Sequence, residues 1–186
     1  MQWEIIGFYF PLEQLQTMAQ ILFSCPGGTL VSPEKLLCDR VDGGHLVVNP
    51  LRAVWERSCL TPLELANWSF LVAATGRAML DALPALQGGC INYWEAGNWA
   101  LNDQATPAGP KIAEDHRRVH LHVLGRSRNA RHPDWRWGES PRFPDFANSA
   151  RWAAGFSALT PLECDAVVKR LQNLLQTTFP LMRALP

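Results

Sequence analysis

The spacing of apolar side chains along the chain predicts three helices. Residues 11–23 carry an apolar stripe at helical spacing, which ends at the Cys-Pro-Gly-Gly tetrapeptide that begins at residue 25. Residues 61–83 begin with Thr-Pro-Leu-Glu, a capping box with proline at the first helical position, and stop before Pro84. The same four residue types recur at 160–163 and predict a third helix that runs to about residue 176.

Shorter apolar runs predict strands. One run occupies residues 4–10 and another occupies residues 89–94. The runs at 36–41 and 45–48 flank Asp42-Gly43-Gly44, and a turn of this composition between apolar runs predicts a hairpin. Two long stretches without periodicity, 95–115 and 125–157, are predicted to be loops.

The last predicted strand, at residues 117–124, carries the most unusual pattern. Arg118, His120 and His122 alternate with Val119, Leu121 and Val123, which is typical of a strand with one buried face. The polar face therefore presents two imidazoles and a guanidinium, roughly 6.5–7 Å apart in succession. That spacing lets both histidines reach one bound group, so we interpret this strand as the floor of a site for a phosphate or a metal ion.

Composition narrows the function classes. The 186 residues are 47% hydrophobic, which fits one domain with a sizeable core, and 17 basic residues balance 17 acidic ones. A neutral chain lacks the basic field that binding to extended nucleic acid requires. The five cysteines form no CxxC pair and indicate a reducing compartment. No signal peptide or long apolar span is evident, so we expect a cytoplasmic protein that does not cross a membrane.

Two segments, taken with the order of elements around them, resemble the histidine triad (HIT) family. That family's motif alternates three histidines with apolar residues, and here the corresponding segment reads Arg118-Val-His120-Leu-His122-Val-Leu. The family's Gly-His strand, which ends in proline, is matched by Gly44-His45-Leu46-Val47-Val48-Asn49-Pro50. The resemblance covers about residues 36–126.

The resemblance implies an α+β fold, in which an antiparallel sheet of about five strands carries a long helix and forms a homodimer. It implies hydrolysis or transfer at the α-phosphate of a nucleotide or dinucleotide, with no cofactor and no metal. His120 would be the nucleophile and would form a phosphoramidate-type intermediate. His122 and His45 would bind the phosphate oxygens. Glutamine replaces the last histidine in the family's transferases, so His122 favours the hydrolase branch.

The chain departs from the family pattern in two places. Arg118 replaces the first histidine; arginine can grip a phosphate with a planar fork, but it cannot shuttle protons. The loop before the motif is longer than the family's, so Asn92, Asn98 and Asn102 compete as the asparagine that contacts substrate, with Gly109 as the matching glycine. Asp39 is the counterpart of the family's ribose-binding aspartate.

Two other functions stay open at the level of sequence. The first is a nucleotide-binding module with little or no turnover, because Arg118 replaced a motif histidine. The second is a metal-dependent hydrolase in which His120 and His122 bind zinc with His45 or His116 as a third ligand. Activity that a chelator abolishes would favour the metal.

The predicted organisation is a single HIT-like domain spanning residues 1–186. Its core is predicted at about 36–126, with an N-terminal helix at 11–23 and a C-terminal addition at 127–178. The segment 127–157 is rich in tryptophan, arginine and proline, and we interpret it either as extra core or as a base-stacking wall or lid. His132 could cover the site, whereas Lys111 and Arg126 are expected to be solvated surface cations.

Overall fold

The computed structural model describes residues 19–182, and a single antiparallel sheet organises them. Its strands are β1 (Gln20–Cys25), β2 (Gly28–Ser32), β3 (His45–Asn49), β4 (Cys90–Ala96) and β5 (His120–Arg126). Their spatial order is β1-β2-β3-β5-β4, and every neighbouring pair is antiparallel. The predicted α+β class and five-stranded antiparallel sheet are therefore confirmed.

Four helices accompany the sheet, and the two long ones start where the capping boxes predicted. The helices are α1 (Pro62–Ala82), α2 (Ala113–His116), α3 (Ser149–Ala153) and α4 (Pro161–Thr177). At α1 the Thr61 hydroxyl accepts the backbone N–H of Glu64, while the Glu64 carboxylate accepts the N–H of Thr61. The equivalent pair at α4 is Thr160 and Glu163. These contacts use backbone donors that the first helical turn leaves without partners, so they fix both helix starts.

The sheet has two unlike faces. Helices α1 and α4 pack against each other, and the larger apolar core lies between them and one face of the sheet. Successive side chains of a strand point to opposite faces, so Leu121 and Val123 of β5 enter that core. Leu124 belongs to a smaller cluster on the other face, which includes Trp135 from the C-terminal segment. His120 and His122 share that second face.

The predicted hairpin at residues 42–44 is wrong. Arg40–Asp42 forms a short 3-10 turn, capped by the Asp39 carboxylate, which accepts the N–H of Val41 at 2.8 Å. Gly43 has φ 135°, and a Cβ there would lie 2.3 Å from the carbonyl carbon of Gly125. The Asp-Gly-Gly segment is therefore a close backbone crossing over β5, and β3 pairs with β5 and β2 instead of with residues 36–41.

The prediction that residues 20–23 form the end of an N-terminal helix is also wrong. Residues 20–23, expected to be helical, belong to β1, which forms a hairpin with β2 across Pro26 and Gly27. Proline and glycine favour a tight turn, and the apolar runs on either side satisfy each other's backbone groups as a ladder. The predicted strand at 4–10 and residues 11–18 of the predicted helix lie outside the described residues.

The C-terminal segment 127–157 packs against the histidine-bearing face. Trp135 is 2% exposed, and its indole N–H donates to the carbonyl of Gly125 at 2.9 Å. The buried carboxylate of Asp42 accepts the backbone N–H groups of Arg131 and His132. Arg126 is not the solvated cation that was expected: it is 5% exposed, lies 4.8 Å from the Trp135 ring centre and donates to the carbonyl of Glu139. Among residues 19–182, no helix is long and apolar enough to span a membrane.

Candidate active site

Two neighbouring strands bring three histidines together on one face of the sheet. His122 of β5 stands opposite Val47 of β3, and His45 of β3 stands opposite Leu124 of β5. This diagonal offset places the His45 and His122 rings 4.9 Å apart, while His120 lies 4.8 Å from His122 along β5. We call His45, His122 and His120 the histidine chain. The sequence predicted all three as site residues, and the structure places them in contact.

The rings of the histidine chain are linked in a line by hydrogen bonds. The backbone N–H of Leu37 donates to Nδ1 of His45 at 3.1 Å. Nε2 of His45 lies 2.8 Å from Nδ1 of His122, and Nε2 of His122 lies 3.2 Å from Nε2 of His120. Nδ1 of His120 then lies 3.0 Å from the carbonyl oxygen of Arg118.

The two backbone ends of this line assign all three tautomers. A backbone N–H can only donate, so Nδ1 of His45 has no proton and its Nε2–H donates to His122. The same step repeats: Nε2–H of His122 donates to Nε2 of His120, and Nδ1–H of His120 donates to the Arg118 carbonyl, which can only accept. Three neutral imidazoles satisfy every link: the line ends at the Arg118 carbonyl, and Nε2 of His120 is unprotonated and accepts from His122.

Burial favours the neutral form of each ring, because burial penalises a charged group. The pKa of His45, which is 2% exposed, is lowered well below its ordinary value by burial and then by the other two imidazoles. Burial and the neighbouring His120 lower the pKa of His122 to about 3. The pKa of His120 is lowered chiefly by burial, and the carbonyl of Arg118 opposes this shift.

Aromatic side chains pack against the histidine chain on the side of β4. Trp94 stands opposite His122 in the ladder, and the two rings stack with centres 5.1 Å apart and an interplanar angle of 23°. On its other side Trp94 stacks on Phe143 of the C-terminal segment at 4.6 Å. Trp99 meets Trp94 edge-on at 6.4 Å. Trp94 is not among the predicted site residues, although the parity of its strand relative to β5 was a signal that could have predicted it.

Arginine at the first motif position faces away from the ring nitrogens. The guanidinium of Arg118 donates to the carbonyl oxygens of Glu114, Asp115 and Arg117, around the end of α2. β5 starts only at His120, and the N–H of Val119 donates to Val54 outside the sheet ladder. Because β5 begins two residues after Arg118, strand alternation does not place the Arg118 side chain beside the histidines. A phosphate grip by Arg118 would require these three hydrogen bonds to break.

Arg117, which is not among the predicted site residues, is a cation that acts electrostatically on His120 of the histidine chain. Its positive charge is one of the causes that lower the pKa of His120. Its guanidinium is held by the Asn98 amide oxygen at 3.0 Å, by the Glu56 carboxylate at 3.0 Å and by the carbonyl of Trp55. Asn98, predicted to contact substrate, thus orients a cation beside the site.

The other predicted substrate-binding residues occupy separate places. Both carboxylate oxygens of Asp39 are engaged, by the N–H of Val41 and by that of Ser157 at 2.7 Å. Asn92 shares a face of β4 with Trp94, and its buried amide oxygen has no hydrogen-bond partner among the described residues. Gly109 lies in the loop before β5, where its carbonyl accepts from the Lys111 ammonium at 3.0 Å. Their roles toward a substrate stay predictions.

The geometry of the histidine chain differs from that of a metal site. A metal needs several lone pairs aimed at one point, whereas the two nitrogens of His122 bond to different histidines on opposite sides of its ring. Within residues 19–182 no group of three or more His, Cys, Asp or Glu side chains has an arrangement suited to a metal ion. The linear chain suits proton placement and anion contact better.

Comparison with known proteins finds a similarity among solved structures. No family model matches this chain, and no curated protein does so either. Among solved structures, the chain is similar to a histidine triad (HIT) protein from Sinorhizobium meliloti 1021, with a TM-score of 0.45 and 17% sequence identity. The alignment covers 87% of this chain and 96% of that one.

Proposed function

We propose that this chain binds a nucleoside phosphate and hydrolyses or transfers at its α-phosphate, with His120 as the nucleophile. The observation that carries the proposal is the one-directional hydrogen-bond line, in which Nε2 of His120 is unprotonated and accepts from His122. A neutral imidazole whose lone pair is released from the His122 donor when substrate enters is a competent nucleophile for phosphorus. The Arg118 carbonyl holds the tautomer that directs this lone pair away from the backbone.

The lowered pKa of His120 supports the same assignment. A nucleophilic imidazole must be unprotonated, and burial keeps His120 neutral at pH values where a solvated histidine is partly charged. Arg117 adds to this effect through its charge. The site therefore needs no separate base to activate the nucleophile near neutral pH.

The reaction proceeds in two displacements. The Nε2 lone pair of His120 forms a bond to phosphorus, the bond to the leaving group breaks, and that group departs with the electron pair. Water then attacks phosphorus and Nε2 recovers its lone pair. One water proton remains on the released monophosphate, and the other passes to solvent. In a transferase reaction, a second phosphate or alcohol replaces water.

His122 and His45 would stabilise the phosphoryl group. The Nε2–H of His122 now points at Nε2 of His120, so a phosphate entering between them would receive that hydrogen bond on an oxygen. His45 fixes His122 by donating to its Nδ1 from a fully buried position. Donors oriented before the substrate arrives stabilise developing charge without reorganisation.

A nucleotide-binding module with slow turnover is the second candidate. The observation that favours it is the position of Arg118, whose guanidinium is bound to three backbone carbonyls. No imidazole stands at that position to supply a proton to a poor leaving group. Substrates that release a good leaving group, for example a nucleoside diphosphate as the departing group, would then be cleaved fastest.

The proposal is tested by incubating the purified chain with adenosine phosphoramidate, diadenosine tetraphosphate and a nucleotide sugar, and measuring release of adenosine monophosphate. We expect release by the wild type and a loss of at least about a thousandfold in His120→Ala, as for removal of a nucleophile. A quench in alkaline denaturant, which preserves the acid-labile phosphorus–nitrogen bond, followed by mass spectrometry at alkaline pH should find a nucleotidyl adduct on the peptide that contains His120.

His116→Ala is the matched control, because it removes a histidine that lies outside the histidine chain. Equal turnover in the His120→Ala and wild-type proteins would contradict the proposal. Binding of adenosine monophosphate without turnover of any substrate would favour the binding module. The homodimer implied by the sequence resemblance is a further prediction, which sedimentation velocity of the intact chain checks.

A further inference from the structure

A cavity lies in the C-terminal segment, outside the histidine chain itself. It has a volume of about 430 Å³ and is lined by His132, Asn148, Arg151, Trp152, Gly155 and Phe156. None of the three residues of the histidine chain lines it. Small-molecule sites typically have volumes of about 300–1,000 Å³, so this cavity is large enough for one aromatic metabolite. We call it the Trp152 cavity.

Three aromatic rings form a corner in the Trp152 cavity. The His132 ring lies 4.8 Å from Trp152 and 5.2 Å from Phe156, with interplanar angles of 58° and 76°. Trp152 and Phe156 are nearly perpendicular, at 5.8 Å and 88°. Rings tilted in this way do not cover one another as a parallel stack does. A planar ligand ring could therefore stack on one of them while meeting the edges of the others.

The polar groups of the Trp152 cavity favour an anion. Arg151 is exposed and forms no salt bridge with any residue in 19–182. Nδ1 of His132 accepts the N–H of Asp134, so in the neutral ring Nε2 carries the proton and is a donor. No carboxylate lines the cavity. Residues 127–157 hold five arginines against three carboxylates in a chain of zero net charge, so this surface is locally basic.

We propose that the Trp152 cavity binds a planar aromatic ring that carries an anionic group. Two kinds of compound share this chemistry, a nucleoside monophosphate and an aromatic carboxylate. The ring would stack within the corner of His132, Trp152 and Phe156, and Arg151 would pair with the anionic group. The site does not depend on the proposed catalysis, because it uses none of the histidine chain.

The location of the cavity separates it from the proposed nucleophile. The Trp152 indole N–H donates to the carbonyl of Leu37 at 3.3 Å. The backbone N–H of Leu37 in turn donates to Nδ1 of His45. The cavity therefore adjoins the buried His45 end of the histidine chain, whereas the lone pair of His120 is at the opposite end. A ligand in the cavity would leave His120 free.

The test is a titration of the intact chain with adenosine monophosphate and, separately, with indole-3-acetate. Calorimetry measures the affinity, and the NMR signal of the Trp152 indole N–H reports on the cavity. Trp152→Phe assigns that signal. Adenosine and inorganic phosphate serve as probes that carry only the ring or only the charge. We expect at least one of the two aromatic anions to move the signal at concentrations where adenosine and phosphate do not. Which anion binds more tightly distinguishes the two sources.

Variants locate the binding. Arg151→Ala should weaken the affinity of the bound anion about tenfold, as for loss of one charge-assisted contact. Arg136→Ala, which removes an exposed arginine of the same segment, should leave the affinity unchanged, and so should His120→Ala. The inference is overturned if neither anion moves the Trp152 signal, or if Arg151→Ala and Arg136→Ala bind equally. Binding of adenosine monophosphate that vanishes in His120→Ala would also overturn it, and would assign that ligand to the histidine chain.

Discussion

Three imidazoles in direct contact form a hydrogen-bond line that persists only while all three are neutral. A second proton on any ring would set one N–H against another, because each acceptor nitrogen already faces a donor. The protein therefore holds groups that ordinarily titrate near pH 6.5 in a form that resists protonation. This has consequences for stability and for reactivity that can be measured separately.

Acid should destabilise the fold through the histidine chain. Below about pH 6.5 the unfolded chain binds a proton at His122, whereas the folded chain, in which the pKa of His122 is about 3, does not. Unfolding then takes up protons, so the free energy of unfolding falls as the pH is lowered from 6.5 towards 3. The slope is about 1.4 kcal/mol per pH unit for each proton. Urea denaturation at pH 7, 6, 5 and 4 measures it.

His122→Asn should have a smaller slope than the wild type between pH 6 and 4, because it removes one of the protons taken up on unfolding. His116→Asn leaves the histidine chain intact and should keep the wild-type slope. A stability that is flat over this range in the wild type would show that the buried histidines are not held neutral.

Adjacent arginines are expected to act differently on His120. Arg117→Ala should raise the pKa of His120 towards its ordinary value, because a nearby cation disfavours the protonated ring. Arg118→Ala should leave that pKa unchanged, because the carbonyl that accepts from His120 belongs to the backbone. NMR titration of the His120 ring proton measures both. A shift in Arg118→Ala alone would reverse the assignment of the two arginines.

At the scale of elements, local signals predicted what local chemistry decides. The capping boxes at Thr61 and Thr160 predicted both long helices, since a helix start needs only four neighbouring residues. The Asp-Gly-Gly segment misled because Asp42 is a buried acceptor for residues 131 and 132, about ninety positions away. A turn pattern cannot reveal such a distant partner. The β1–β2 hairpin had a local signal, Pro26-Gly27 between two apolar runs, which was interpreted as the end of a helix.

Strand parity predicted the candidate site only in part. It placed His120 and His122 on one face, and the resemblance added His45 from β3. It failed for Arg118, because alternation applies only while the residue belongs to the sheet and β5 begins at His120. It could not supply Leu37, whose N–H donates to His45, or Trp152, which contacts Leu37 from the C-terminal segment, because these contacts arise from packing between distant segments.

The link between the C-terminal segment and the histidine chain can be tested at Trp152. Trp152→Phe keeps an aromatic ring but loses the indole N–H that donates to the carbonyl of Leu37. We expect a loss of about 1 kcal/mol in the free energy of unfolding, as for one hydrogen bond. We also expect faster hydrogen exchange of the Leu37 N–H, which donates to His45. Trp137→Phe, at a more exposed tryptophan, should change neither quantity. Unchanged exchange at Leu37 in Trp152→Phe would show that Trp152 does not hold this peptide.

At the scale of the whole molecule, one sheet separates two unlike halves. The α1–α4 face contains most of the apolar core, whereas the other face holds the histidine chain under a polar and aromatic segment. The two halves share every strand, so loss of either core exposes the sheet. The C-terminal segment is joined to the rest through the carboxylates of Asp42 and Asp39. This arrangement favours unfolding as a single unit, and the single domain stays a prediction that unfolding can test.

Substitutions on opposite faces should therefore shift the same transition. Leu171→Ala, at a residue with no exposed surface in the α1–α4 core, should cost about 2–5 kcal/mol. Asp42→Ala leaves two backbone N–H groups without their acceptor and should cost about 1–3 kcal/mol. In urea, far-UV circular dichroism should follow the helices, and tryptophan fluorescence should report in part on the C-terminal segment, which holds three of the eight tryptophans. We expect the two signals to coincide in the wild type and in both variants, because the shared sheet couples the two faces.

Asp165→Ala, at an exposed aspartate of α4, should stay within about 0.5 kcal/mol of the wild type. A fluorescence transition that precedes the dichroism transition in Asp42→Ala would mean that residues 127–157 unfold on their own, and the single-domain prediction would then fail.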